Sequence, residues 1–364
     1  MQANFATETF LFIILPFSIL FYYLAPKPLR KYVFLALSIF YVFAISPAYF
    51  PFLLALGLIN YLLGIVFGKA NNKAVLWFGV ILNVLILIII NILGDPSSDQ
   101  VIAFINEYPA LFGNLEIIRT ILSKTIPNSQ PIGLSYFIFV SVAYFFDLLN
   151  SDIQAERSLP DFLLHLFIFP KFIAGPITRF SQIADEIKKP TLSLDTFVQG
   201  VQRFILGLGK KVLIADQLGL FADKIFALTS AQYRTGNSWI GILFFSIQIF
   251  YDFSGYTDMA IGLGQIFGLK LPENFNAPYS AKSIAEFWRR WHITLSSWFR
   301  DYVYYPIEWA FRRSRIKTLV HYLTPLLVFL LTGLWHGFTW GFVIWGLMHG
   351  MAIAFELTPW GKKL

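Results

Sequence analysis

The sequence predicts an all-α, polytopic integral membrane protein, and three observations carry that prediction. Charged residues are only 13% of the 364-residue chain, against 57% hydrophobic. A soluble domain is about one-quarter charged, so this chain lacks the groups to cover a water-facing surface. Mean hydropathy is +0.63, which excludes disorder as well, because disordered chains are poor in hydrophobic residues. Finally, apolar runs recur at about the 20-residue length that a bilayer-crossing helix needs.

In chain order these runs fall near residues 9–25, 32–50, 51–68, 74–93, 131–149, 238–256, 318–333 and 338–355. Residues 74–93 hold no charge at all. Pro16 interrupts the first run, which a membrane helix tolerates where its neighbours re-satisfy the backbone. The first nine residues carry no Lys or Arg and one acid, Glu8. A secretory signal has a basic start, so this run reads as a retained span. Shorter or charge-bearing runs near 161–175, 198–215 and 259–269 read as re-entrant or interfacial. The expected architecture is therefore roughly 8–11 membrane helices in one membrane-embedded domain over 1–364.

Orientation follows from Lys and Arg, which are retained on cytoplasmic loops. Lys27, Arg30 and Lys31 lie between the first two runs, and Lys69 and Lys73 between the third and fourth. Both clusters belong inside. The uncharged turn at 46–51 between them, and the amino terminus, belong outside. Residues 94–130 then form an extracytoplasmic excursion, with 101–122 readable as an amphipathic helix on the membrane surface. Arg157, Lys171, Arg179, Lys188 and Lys189 fall inside again. The net charge of +7 is the same bias and needs no nucleic acid. Zero cysteines exclude disulfides, thiolate zinc sites and a cysteine acyl-enzyme.

Five histidines are the first places to look for chemistry: His165, His292, His321, His336 and His349. Ionisable groups in membrane segments are expensive and tend to be functional; the bland alternative is a neutral imidazole donating one hydrogen bond to a carbonyl. His336 lies in Gly333-Leu334-Trp335-His336-Gly337, within residues 318–355, which carry no formal charge. One helix over that stretch would be about 57 Å long at 1.5 Å per residue, nearly twice the bilayer core. It has to bend or break, and Gly333, Gly337 and Gly341 mark the place. Freed backbone is tolerated only inside protein or beside water, which puts His336 in a wet cavity, where an imidazole serves as a general base near neutral pH.

His292 follows Trp288-Arg289-Arg290-Trp291. Trp288, Trp291, Leu295, Trp298 and Tyr302 recur at helical spacing, which alone reads as an interfacial helix with Trp at headgroup depth. The adjacent arginines disfavour imidazolium, so His292 is expected to be neutral. Asp252 and Asp258 close the apolar run that ends Tyr251-Asp252-Phe253-Ser254-Gly255-Tyr256-Thr257-Asp258. They are either snorkelled end charges or partners of the arginines at 289–300; spacing does not decide. Gly207-Leu208-Gly209-Lys210-Lys211 lacks the spacing and hydroxyl of a phosphate loop, and no metal-binding pattern is present.

The stretches YDFSGYTD (251–258), LPENFNAPY (271–279), FWRRWHITLSSWFRDY (287–302) and GLWHG (333–337) together resemble the membrane-bound O-acyltransferase family, in its bacterial alginate-O-acetylation branch. Phe169-Pro170-Lys171-Phe172-Ile173-Ala174-Gly175-Pro176-Ile177 and the start of the chain resemble it too. The resemblance implies helices around a tunnel in the cytoplasmic (inner) membrane, with His336 and His292 catalytic. The acyl donor is expected to be acetyl-CoA, with no cofactor bound. The acetyl group would pass outward to a polysaccharide hydroxyl, and an extracytoplasmic acetyltransferase partner would finish the transfer. Arg289, Arg290, Asp252, Asp258, Trp288 and Trp291 are the expected substrate-binding residues, the arginines matching the donor's phosphates. A close branch exports D-alanyl groups instead. Members of the branch run about a hundred residues further, so the chain reads as a short or truncated member. A transporter and a non-catalytic scaffold of an acetylation complex are the competing readings.

Overall fold

The structure is a computed structural model that describes residues 5–94, 131–229, 231–232 and 234–361. The expected surface helix at 101–122 lies outside the described residues. Among those described, all regular structure is helical, and the chain is an all-α membrane protein. Four of the described helices are long and apolar enough to cross a bilayer: Lys27–Ile45, Phe50–Ala70, Lys73–Ile92 and Lys317–His336. Phe10–Leu24 and Leu134–Leu149 are shorter apolar helices. The described residues cluster into two units, Met1–Ile45 with Ser158–Asn274, and Ser46–Arg157 with Phe275–Leu364.

The first unit holds α1 (Phe10–Leu24), α2 (Arg30–Ile45), α6 (Leu159–Phe167), α7 (Phe169–Phe172), α8 (Phe180–Lys188), α9 (Leu194–Gly209), α10 (Asp216–Phe226) and α11 (Thr235–Ile266). Its core is aromatic: Phe5, Phe10, Tyr41 and Phe169 pack edge to face or tilted. Tyr22 and Tyr23 donate their hydroxyls to the carbonyls of Phe267 and Ile266, both at 2.8 Å. These bonds satisfy acceptors that the end of α11 would otherwise leave open.

Two runs read from sequence as separate, 238–256 and 259–269, are one 32-residue helix, α11. Its acids do not end it, because each has a cation waiting. Lys211 Nζ lies 2.6 Å from Asp252, Lys210 Nζ 2.6 Å from Asp258, and Arg203 bonds Asp258 at 2.9 Å. The two lysines sit on the π-helical turn Lys210–Ala215 that joins α9 to α10. Nor do its glycines break it; they seat it on α9. A Cβ on Gly200 would lie 2.7 Å from the Gly262 carbonyl oxygen, and one on Gly255 2.7 Å from that of Gly207. Small residues seven apart on both helices thus let two backbones touch, the usual way membrane helices gain packing without a hydrophobic driving force.

The second unit holds α3 (Phe50–Ala70), α4 (Lys73–Gly94), α5 (Leu134–Leu149), α12 (Ile284–Arg290), α13 (Ile293–Phe299), α14 (Tyr305–Phe311), α15 (Lys317–His336) and α16 (Trp340–Glu356). Asn60 on α3 and Asn83 on α4 are fully buried and exchange side-chain amide bonds at 3.1 and 2.8 Å, which satisfies both amides away from water. Phe139 of α5 accepts a hydrogen bond from the Trp298 indole at 2.9 Å and packs on Trp298 and Trp335. The uncharged stretch breaks where glycine marks it. α15 ends at His336, Gly337 is extended, and Thr339 caps α16 by accepting from the Phe342 amide. The two helices then pack so closely that a Cβ on Gly333 would overlap the Phe342 carbonyl oxygen.

Candidate active site

The second unit brings both sequence-predicted catalytic histidines together, each at a helix break. The aromatic run at 288–302 is not one interfacial helix. Trp291 is extended and His292 is left-handed, with φ 43° and ψ 54°. Left-handed backbone costs a residue with a Cβ about 1–2 kcal/mol, so the surroundings hold His292 there. Ser296 supports the break twice: its amide bonds the His292 carbonyl at 3.0 Å and its hydroxyl the Trp291 carbonyl at 3.2 Å. The side chain of His292 is buried, 4% exposed, with Tyr136 stacked at 6.5 Å. Burial, and then the charge of nearby His336, lower the imidazole from 6.5 to about 3. The ring is neutral as expected, but desolvation does this rather than the adjacent arginines.

His336, by contrast, is exposed at the end of α15. Phe342 stacks on it at 5.6 Å and Trp345 meets it edge to face at 5.4 Å. One imidazole is therefore reachable and the other sealed, and they stand close enough for their charges to interact.

A cavity of about 610 Å³ opens among the helices that carry the pair, lined by Ile293 next to His292 though by neither histidine itself, and it is within the size range of small-molecule sites. Trp288 and Arg289 of α12, Ser296 of α13, Arg300, and Phe329 and Thr332 of α15 line it. Thr332 stands one turn before His336, which does not itself line the cavity. The expected substrate-binding residues divide here. Arg289 is exposed and makes no hydrogen bond or ion pair with a described residue. Arg290 is engaged, pairing with Glu286 at 2.7 Å and reaching Ser280 Oγ at 3.2 Å and the Asn276 carbonyl at 3.4 Å. Trp291 packs on Phe287, Phe275 and Tyr279. Arg290 and Trp291 thus hold the 275–280 connector against α12. Asp252 and Asp258 belong to the first unit, where both carboxylates are paired as described above.

His349, named among the five histidines, has no role assigned from the sequence. The Trp288 indole donates to His349 Nδ1 at 3.3 Å. An indole N–H only donates, so Nδ1 is the acceptor and the neutral ring carries its proton on Nε2. Trp345 packs on both His349, at 4.9 Å, and His336, at 5.4 Å. His349 thereby ties the cavity wall to the exposed histidine. The spacing Trp345-His349, four apart on one helix, was the available signal. α12 is also fixed at its other end, where the Glu356 carboxylate accepts from the Ile284 and Ala285 amides at 2.6 and 3.0 Å. A carboxylate at a helix N-terminus satisfies open donors and complements the dipole. His321 has an ordinary role, facing Glu308 at 3.2 Å. No group of three or more His, Asp or Glu able to hold a metal occurs among the described residues.

Fold and site together define an all-α membrane protein with an exposed imidazole and a buried one on the helices that also wall a ligand-sized cavity. The membrane-bound O-acyltransferase family profile matches residues 116–358, and the chain belongs to that family. It is 37% identical over 359 residues to the protein named "Probable alginate O-acetylase AlgI" of Azotobacter vinelandii, covering 97% of this chain and 68% of that protein. It is 33% identical over 385 residues to a peptidoglycan O-acetyltransferase of Helicobacter pylori, covering 96% and 69%. A teichoic acid D-alanyltransferase of Bacillus subtilis is 32% identical over 269 residues, covering 68% of this chain and 66% of the relative. The chain spans about two-thirds of the length of the curated relatives it matches.

Proposed function

We propose that this acyltransferase passes an acetyl group from a cytosolic thioester, acetyl-CoA, through the cytoplasmic membrane toward a hydroxyl of an extracytoplasmic polysaccharide. The relatives named for alginate and peptidoglycan O-acetylation support the acceptor class. The observation that carries the chemistry is the pairing of reachable His336 with sealed, neutral His292. His336 takes the proton of the acceptor hydroxyl as its oxygen attacks the thioester carbonyl. Donor binding uncovers the buried His292 ring, whose neutral N–H then donates to the developing oxyanion. The carbon–sulfur bond then breaks, the imidazolium returns its proton to the departing sulfur, and an ester and a thiol result. General-base help is worth ~10²–10⁴ in rate, and an oxyanion donor ~10²–10³.

Arg289, whose side chain pairs with no described residue, lines the cavity where donor phosphates would sit, and guanidinium forks suit phosphate. The alternation of basic loops supports a multi-pass chain with its amino terminus outside. An extracytoplasmic acetyltransferase partner would complete the delivery. The similarity to a teichoic acid D-alanyltransferase supports a second reading, export of a D-alanyl group. The decisive experiment compares polymer acetylation in cells carrying wild-type protein or His336→Ala at equal abundance, with thioester turnover by purified protein in parallel. Loss of both by at least about a hundredfold is expected. Near-normal acetylation in the variant sinks the proposal.

A further inference from the structure

In the first unit, outside the histidine pair, two basic side chains are buried together. Lys171 is 3% exposed and His165 fully buried. Neither Lys171 Nζ nor either ring nitrogen of His165 has a hydrogen-bond partner among the described residues. The backbone holds the lysine firmly. α7 packs against α2 and α11, and the Phe169 amide donates to Ser38 Oγ at 3.3 Å. The Gly175 amide closes back on the Lys171 carbonyl at 3.2 Å. A Cβ on Gly175 would overlap the Lys171 Cα and lie 3.0 Å from the Pro170 carbonyl oxygen.

Among the described residues no carboxylate offsets the amine. Burial alone drives Lys171 from 10.5 down to about 7, and Asp161, one turn before His165, lies 2.7 Å from Lys31. His165 and Lys171 are near enough for the lysine's charge to depress the imidazole, yet they make no bond to each other. Two buried donors with no partner among the described residues fit a third group that accepts from both. A buried bare ammonium is far more costly than a buried neutral group. A ligand that brings negative charge removes that cost and supplies the acceptor. The aromatic surroundings, with Phe180 edge-on to His165 at 5.1 Å, disfavour a large or multiply charged one.

We propose that Lys171 and His165 bracket a buried binding site for one small monovalent anion, a halide or a short carboxylate. The test is thermal unfolding of the full chain in detergent micelles, with sodium bromide, sodium acetate or sodium gluconate exchanged at constant ionic strength. Bromide, acetate or both should raise the midpoint saturably over gluconate, since a ligand that binds the native state stabilises it by mass action. The ion effective at the lower concentration identifies the class. The rise should vanish in Lys171→Met, an apolar side chain of similar length, and need a severalfold higher concentration in His165→Gln. Where bromide is an effective ion, bromide-soaked crystals of the wild type should show an anomalous peak within bonding distance of Nζ, and where acetate alone is effective, added acetate should appear there as bound density, which keeps the test independent of how Lys171→Met folds. Coincident midpoints in all three salts mean water only and overturn the proposal. So does an equal rise in Lys171→Met, or the effective ion bound elsewhere.

Discussion

Adjacent residues of like charge do different work here, and Arg289 and Arg290 show it. Arg290 spends its guanidinium on Glu286, Ser280 and the Asn276 carbonyl, while the Arg289 side chain lines the cavity and pairs with no described residue. A charge-assisted hydrogen bond is worth about 1.5–3 kcal/mol. Arg289→Ala should therefore raise the donor KM roughly 10- to 100-fold with little change in melting temperature. Arg290→Ala should lower the melting temperature through the loosened connector. Steady-state kinetics beside thermal unfolding separate the two, and a reversed pattern would show the cavity is not where phosphate binds. His292 makes a second prediction. Its folded value of about 3 lies below the ordinary 6.5, so between these values the unfolded state binds more protons than the native one. The stability that comes from burying the neutral ring is present above about pH 6.5 and is lost as pH falls toward 3. Melting temperature should fall across that window, and less steeply in His292→Gln. Neither division was legible in sequence. Arg289 and Arg290 look alike there, and burial of one imidazole depends on residues as distant as Tyr136.

Helices in this chain end for reasons that sequence shows in one case and hides in another. The break after His336 was readable because an uncharged stretch too long for the bilayer contained Gly337. The break at His292 was not, because no glycine or proline marks it and the aromatic spacing continues across it as if the helix did. Only Ser296, bonding back to both sides, reveals how the left-handed residue is held. The converse error came at α11, where acids suggested an end. Lys210 and Lys211, which sequence excludes from any phosphate loop, supply the charges that let the helix continue. The glycine seam between α9 and α11 can be tested directly. A side chain at position 262 meets the backbone of α9 rather than a movable side chain, so the helices have to separate. Gly262→Leu should destabilise the protein by about 1–3 kcal/mol. Gly236→Leu, on the same helix with open space around it, controls for the loss of a glycine as such. Equal melting temperatures for the two variants would mean that the seam does not hold these helices together.

For the molecule as a whole, composition alone was enough to establish the membrane class, because a chain with 13% charged residues has few other options. What composition leaves open is which way the chain faces, and the donor and acceptor sides of the proposed reaction depend on it. Charge retention decides it. Lys69 and Lys73 flank the turn between α3 and α4, whereas the turn between α2 and α3 carries no charge. Basic loops are kept in the cytoplasm, so the two turns should lie on opposite sides, one span apart. The absence of cysteine makes the test free of background. Ala48 and Asn72 are both exposed, one in each turn, and either tolerates a small polar thiol. In intact cells a membrane-impermeant maleimide should label Ala48→Cys and leave Asn72→Cys unmodified until the membrane is opened. Labelling of Asn72→Cys alone would invert the chain, place the basic face of the protein outside and separate the thioester donor from the arginine proposed to meet it. Equal labelling of both before opening would deny that α3 crosses the bilayer at all.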